Sequence, residues 1–412
     1  MDASADSPRA DIDSPAAWRR LIAALTIATL GGVGMWSVVV ALPAVQAEFG
    51  VARGAASLPY TLTMVGFGLG GIFIGKLSDR HGVALPLAGA TVALAAGYVV
   101  AALAPSLLLY ALAQGILIGF FGSSAFFGPL LADISHWFEK RRGLAVSIVA
   151  CGNYLAGTVW PPIVQQMIAS MGWRQTHVVI GLVCLVTMLP LAWMLRRRAP
   201  HVHATAAAAA NARPLLDLGL SPRTLQSLLM LAGVACCVAM SMPQVHIVAY
   251  CTDLGYGPAA GARMLSLMLG FGIVSRLASG WIADRIGGLR TLLLGSVAQG
   301  IALLLYLPSD GLTSLYVVSA LFGLFQGGIV PSYAIIVRET FSSREAGARV
   351  GLVVMATLFG MALGGWMSGV VFDLTGSYQA AFINGILWNL LNLTVVVWLL
   401  RRAWPQLVRV TA

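Results

Sequence analysis

One charged side chain inside a long apolar run poses the chemical question. Residues 261–290 read GARMLSLMLGFGIVSRLASGWIADRIGGLR, with Arg276 eight residues before Asp284. At 1.5 Å per helical residue that is roughly 12 Å in from the polar end, near the middle of a hydrocarbon core about 30 Å thick. A charge at that depth costs about 2.5–3.5 kcal/mol on insertion scales, so it faces protein or water and not lipid. Its planar guanidinium could hold a carboxylate through two parallel, charge-assisted hydrogen bonds, which a lysine cannot do. The other reading is a structural arginine held by a buried carboxylate or by backbone carbonyls. No Asp or Glu lies within the run ahead of Asp284.

Other polar residues in apolar surroundings are candidates to line the same path. Tyr333 is the first of them: its ring could cover the organic part of a ligand and its hydroxyl could meet the carboxylate. Ser123, Ser124 and Phe127 lie together in the fourth apolar run, and Tyr60, Asn153, Tyr154, Gln244 and Gln326 stand singly in theirs. Each of these either lines the path or joins helices by a hydrogen bond worth about 0.6 kcal/mol. His246, with an ordinary pKa near 6.5, is the candidate proton carrier; the alternative is a satisfied interior histidine. Asp133 is read as an inner-gate partner for Arg80, with proton carriage as the alternative. Asp79, Arg80, Arg142, Asp284 and Arg285 are read as gating residues, charges at helix ends that pair in one conformation and separate in another.

These residues need a scaffold, and composition names it. The chain has 412 residues, 58% hydrophobic and only 10% charged, against about 25% charged in soluble domains. It is therefore read as an all-α polytopic membrane protein. Apolar runs fall at 21–45, 56–77, 83–103, 106–132, 144–169 and 174–195, then at 224–250, 261–283, 289–308, 312–337, 347–371 and 379–400. That predicts two six-helix bundles, 19–195 and 223–402, joined by a cytoplasmic linker at 196–222. Residues 1–18 are expected to be a disordered cytoplasmic tail and 403–412 a second cytoplasmic tail. The acidic start lacks the basic residues and short apolar core of a signal peptide.

Net charge is +10, but the basic residues concentrate in one set of loops, so topology explains them and nucleic acid is not an expected partner. Lys76, Arg80, Lys140, Arg141, Arg142, Arg196, Arg197, Arg198, Arg285 and Arg290 belong to that set; the opposite loops hold only Arg53, Arg174 and Arg263. The basic set is expected to be cytoplasmic, with both termini beside it, in a cell inner membrane. Cys151, Cys184, Cys236, Cys237 and Cys251 show no metal-ligand spacing and read as reduced packing residues. His201 and His203 in the linker read as solvated. No cofactor or metal is expected, and the protein is expected to be a monomer.

The halves repeat. Gly75-Lys-Leu-Ser-Asp79-Arg80-His-Gly82 follows the second run, and Gly280-Trp-Ile-Ala-Asp284-Arg285-Ile-Gly287 follows the eighth. Phe138 to Gly157 spans the same interval as Phe341 to Gly360. Internal repeats of this size suggest a transporter with a midplane site between its halves.

The paired G-x-x-x-D-R-x-G loops resemble the signature of the major facilitator superfamily, over essentially the whole chain from Trp18 to Arg402. Trp137-Phe138-Glu139-Lys140-Arg141-Arg142-Gly143-Leu144-Ala145, followed by Gly152 and Gly157, resembles the signature of the monocarboxylate transporters and the related oxalate/formate exchangers. The resemblance implies alternating access between two pseudo-twofold-related bundles, a small organic anion as substrate, proton coupling or exchange, and Arg276 as the substrate-binding arginine of the eighth helix. The chain departs from some animal carriers at two places. Gly272 stands where they have an aspartate, and the end of the first helix, Ala41 to Gln46, has no lysine; both residues serve proton coupling in those carriers. The eleventh helix lacks the lysine of the oxalate exchanger. A single mid-membrane cation suits a monoanion better than a dianion. The remaining readings are an exporter of drugs or other metabolites, a non-transporting membrane sensor, and a membrane enzyme; no nucleophile–base pair, H-x-x-x-H or phosphate-cradling loop supports the last.

Overall fold

In a computed structural model, the backbone is described for residues 12–197, 216 and 218–411, and the side chains for all of these except 343, 344 and 404–411. Residues 1–11 and most of the linker, with His201 and His203, lie outside the described residues. The described chain is helical throughout its ordered elements, with no strand. Helices α1 to α4 are Pro15–Phe49, Arg53–His81, Ala84–Ala102 and Leu107–Ser135. Helices α7 to α12 are Pro222–Asp253, Pro258–Ile286, Gly288–Tyr306, Leu312–Thr340, Glu345–Thr375 and Tyr378–Ala403.

Between the two sets runs one continuous stretch, Arg142–Met194, of 53 residues. At 1.5 Å per residue it would be about 80 Å long, more than twice a hydrocarbon core. It breaks at Gly172, whose φ of 81° and ψ of 162° belong to no helix. The two limbs are α5 (142–171) and α6 (173–194), giving twelve spans in two bundles of six. Gly82, Gly257 and Gly287 turn the chain with nearly the same angles, φ 78–81° and ψ 163–167°. Only glycine enters that region without strain, so the closing glycine of both G-x-x-x-D-R-x-G loops is a backbone requirement.

Two sequence expectations at the chain ends change. The tail read as 1–18 is ordered from Asp13, whose amide donates to the Trp137 carbonyl. Ser14 caps α1 by accepting from the Ala17 amide, and Pro15 sits at the first helical position. That serine–proline start recurs at Ser221-Pro222 of α7, where Ser221 accepts from Thr224. The C-terminal residues read as a tail continue the last helix to Thr411. The contact of Asp13 with the α4–α5 loop puts the start of α1 on the face that carries the repeated D-R loops, here the motif face. Its opposite is the far face.

Close packing of small residues builds each bundle. A Cβ on Gly66 would stand 2.1 Å from the Gly115 carbonyl, so α2 and α4 touch backbone to backbone. The second half repeats this between α8 and α10: a Cβ on Gly323 would stand 1.9 Å from the Met268 carbonyl. Glycine lets helices approach this closely where lipid gives no hydrophobic drive to associate. The run expected as a plain fourth helix is interrupted, with a π-helical segment at Ala113–Gly122 and a 3-10 turn at Ser123–Phe126. Gly157 admits Leu269 of the other half and the ring of Trp36 of its own half to within 2.8 Å of where its Cβ would be.

The halves are joined at the far face. Arg53 at the start of α2 reaches Asp253 at the end of α7 at 3.1 Å and the hydroxyl of Tyr378 at the start of α12. The amides of Arg53 and Gly54 donate to the Asp373 carboxylate at 2.8 and 2.7 Å. Toward the motif face the same helices separate. A Cβ on Gly365 would lie 2.9 Å from the Tyr60 ring, whereas one on Gly75, Gly351 or Gly347 would meet nothing within 4 Å.

Candidate functional site

Between the halves lies a cavity of about 140 Å³, lined from both sides. The first bundle contributes Met35 and Trp36 of α1, Tyr60, Met64 and Phe67 of α2, Phe127 of α4, and Asn153 and Tyr154 of α5. The second contributes Cys237, Met240 and Gln244 of α7, Leu269 and Arg276 of α8, Val330 of α10, and Val354, Thr357, Leu358 and Met361 of α11. Arg276 is the only charged residue among these. Lining by eight helices reflects the fold: residues reach the midplane where the helices of the two bundles face each other.

Arg276 is positioned by contacts across the halves. Its Nη1 donates to the Ala150 carbonyl at 2.8 Å, and its guanidinium lies over the Tyr154 ring, 4.6 Å from the centroid. Its Nε is buried with no partner, as is the Asn153 Oδ1. Part of the structural alternative is thus present, a backbone carbonyl as partner. A carboxylate partner is not, among the described residues. What remains is a donor edge beside an aromatic ring in an apolar cavity, and that can take an anionic oxygen. Gly272, the departure from the carriers' aspartate, has a steric cause: a Cβ there would fall 2.3 Å from the Tyr154 ring. A tyrosine packed against α8 excludes any side chain at this position.

Of the sequence candidates, Arg276, Tyr60, Phe127, Asn153, Tyr154 and Gln244 line the cavity. Tyr333 does not. It is fully buried and donates to the Asn392 Oδ1 at 2.9 Å, inside the second bundle. Asn392 in turn donates to Ser296 Oγ at 2.7 Å, so the hydroxyl closes an internal chain. Ser123 donates to the Gly31 carbonyl at 3.4 Å and Ser124 to Phe120 within its own turn. Gln326 accepts from Gln244 at 3.0 Å behind the cavity wall. His246 is fully buried, and its Nε2 meets the Gly365 carbonyl at 2.8 Å, so Nε2 is the donor. Its Nδ1 has no partner. It lies under the far-face junction, its ring 6.2 Å from that of Tyr378, and not against the cavity.

The partner assigned to Asp133 is corrected. Asp133 binds Arg20, at 2.7 and 2.8 Å in a bidentate pair, and not Arg80. Arg20 also donates to the Leu195 carbonyl at 2.9 Å, tying α1 to α4 and α6 within one bundle. A pair inside one bundle does not join the two halves. Asp79, Arg80, Asp284 and Arg285 are all exposed; Arg285 stacks on Trp281 at 3.4 Å, and Arg142 donates to the Phe138 carbonyl at 3.1 Å. Sequence reasoning missed the junction of Arg53, Asp253, Asp373 and Tyr378. Its members are up to 325 positions apart, and the one signal was Arg53 itself, one of three cations in loops that also hold Asp253, Asp310 and Asp373.

The sequence model of the Major Facilitator Superfamily matches residues 24–317 and 280–411. Monocarboxylate transporter 13 of Rattus norvegicus is 28% identical over 330 residues, covering 80% of this chain and 75% of that protein. An uncharacterized MFS-type transporter, YcxA, of Bacillus subtilis is 26% identical, covering 79% and 81%. A solved bacterial homolog of the human lysosomal transporter Spinster superposes with a TM-score of 0.68 at 15% identity, over 95% of this chain and 96% of that one. With a family match across both halves and twelve spans in the arrangement the repeats require, the chain belongs to the major facilitator superfamily.

Proposed function

We propose that this protein carries a small organic monocarboxylate across the cell inner membrane by alternating access, with Arg276 as the carboxylate's partner. The observation that carries this reading is the cavity's charge balance: one guanidinium with an unused Nε, and no carboxylate among the described lining residues. A monoanion neutralises that charge. A dianion leaves a second carboxylate desolvated, at several kcal/mol. Size agrees, since about 140 Å³ is below the roughly 300–1,000 Å³ of drug-sized sites, which weighs against the exporter reading. The monocarboxylate transporter among the relatives supports the same substrate class.

In this reading the motif face, with both termini, is cytoplasmic, because it carries most of the Lys and Arg. The junction at Arg53 then closes the outside while the motif face stands open. Gating at the motif face falls to Asp79, Arg80, Arg142, Asp284 and Arg285, exposed here and brought together when that face closes. His246 is the coupling candidate: Nδ1 is its free basic atom, next to the junction that must open. Uptake into proteoliposomes, with a thermal-shift screen, tests the reading. Monocarboxylates should stabilise the protein and drive uptake, while succinate, oxalate and cationic drugs should not. Oxalate or succinate binding more tightly than a monocarboxylate of similar size would overturn it. Run at pH 6 and pH 8, the assay also tests coupling: His246→Gln should flatten the pH dependence, and an unchanged profile removes His246 from that role.

A further inference from the structure

A second cavity, of about 390 Å³, opens at the motif-face ends of α1 and α6, away from the path between the halves. Its lining includes Arg19, Arg20, Trp137, Trp193, Arg196 and Arg197. Arg20 is occupied: it holds Asp133 and the Leu195 carbonyl and lies over Trp137 at 4.5 Å, which fixes the wall. Arg19, Arg196 and Arg197 are exposed, and none of them takes part in the ion pairs among the described residues. Trp137 is 3% exposed, and its indole N–H is buried without a partner. The cavity therefore offers three guanidinium groups with no carboxylate among its described lining residues. Such a set binds an anion with several oxygens.

We propose that this cavity binds the phosphate headgroup of an anionic phospholipid. What lies beside it separates a lipid from a free phosphate. Ile22 of α1 is 59% exposed, and Leu182, Val186 and Trp193 of α6 are 59%, 63% and 67% exposed. Residues 182, 186 and 193 recur at helical spacing, so they form one stripe that leads from the cavity toward mid-membrane, where acyl chains would lie. Trp193, with Arg196 stacked on it at 4.9 Å, stands at the level where tryptophans mark the membrane interface. Basic clusters at that level attract anionic lipids. The end of α12 repeats the pattern with Trp398, Arg401 and Arg402, Arg402 lying over Trp398 at 4.4 Å. It supplies a control for basic charge at the interface as such.

The test is thermal unfolding of the full chain in detergent with added phosphatidylglycerol, phosphatidylcholine or inorganic phosphate at matched phosphate concentration. Phosphatidylglycerol should raise Tm by a few degrees, and the other two should not. The triple variant Arg19→Gln, Arg196→Gln, Arg197→Gln should need at least about tenfold more phosphatidylglycerol for the same shift. Arg401→Gln with Arg402→Gln should respond as the parent does. Arg19→Gln alone, on an exposed side chain, should show a smaller loss in the same direction. A full response in the triple variant, or an equal one to phosphatidylcholine, overturns the site. A response to inorganic phosphate alone overturns the lipid and leaves a soluble anion.

Discussion

At the scale of single residues, Arg276 shows how two opposing costs decide an expected outcome. Removing its charge relieves an insertion cost of about 2.5–3.5 kcal/mol. It also strips the Ala150 carbonyl of its donor, at about 1–3 kcal/mol for an unsatisfied buried group. These nearly cancel, so Arg276→Ala should melt close to the parent while losing uptake and ligand-induced stabilisation. Arg276→Lys should fail as well, because an ammonium offers no planar fork. A variant that melts well below the parent yet is still stabilised by the same acids would place the site elsewhere. Arg276 was legible in the sequence because a charge in an apolar run needs no alignment of helices to be noticed. Tyr333 was misplaced for the converse reason. Membership of the tenth helix could be read, but its rotation about its own axis could not, and that rotation turns the hydroxyl toward Asn392. Asp133 failed similarly: its partner Arg20 stands 113 positions away, just ahead of the first apolar run, where nothing in the sequence pairs the two.

At the scale of helices, glycine divides into two classes that the sequence cannot separate. Gly66 and Gly323 stand where a Cβ would lie about 2 Å from a backbone carbonyl of the neighbouring helix. Backbone cannot give way, so Gly66→Ala and Gly323→Ala should sharply lower the yield of folded protein. Gly75 and Gly280, in the repeated loops, face open space here. In the transport reading they matter only when the motif face closes. Gly75→Val and Gly280→Val should therefore fold and melt like the parent but turn over slowly. Detergent-solubilised yield and melting temperature check the first pair, and uptake rate per folded molecule checks the second. Normal turnover in the loop variants would mean that the helices never approach at those glycines. The twelve apolar runs and the repeats were readable because length and charge-free windows follow from the bilayer's thickness. The break in α4 was not, since a π-helical segment depends on the packing of α4 against α2 and α3.

At the scale of the whole molecule, the transport reading makes the balance between its two access states depend on the junction at Arg53. One guanidinium and two aspartates join a helix start of the first bundle to three helices of the second. Hydrogen bonds to charged groups contribute about 1.5–3 kcal/mol each, and 1.4 kcal/mol is a tenfold change in a ratio. Both carboxylates are exposed, so solvent screens their charges alike; the Arg53 guanidinium holds Asp253 at 3.1 and 3.3 Å, whereas two backbone amides hold Asp373 at 2.8 and 2.7 Å. The Asp373 carboxylate, which accepts two backbone amides, should carry more of the closure. Asp373→Asn cannot accept both with full charge, so it should move the population toward a far face that stands open. Asp253→Asn should move it less. Spin labels at Pro105→Cys and Asp310→Cys, exposed on the far face of opposite bundles, report this as a distance by double electron–electron resonance. Asp373→Asn should add or enlarge a longer-distance population, and Arg53→Gln should enlarge it further, because it removes the cation that Asp253 and Tyr378 share. An unchanged distance distribution in Arg53→Gln would mean that apolar packing along α2 and α11 alone closes the far face, and that the ionic junction only decorates it.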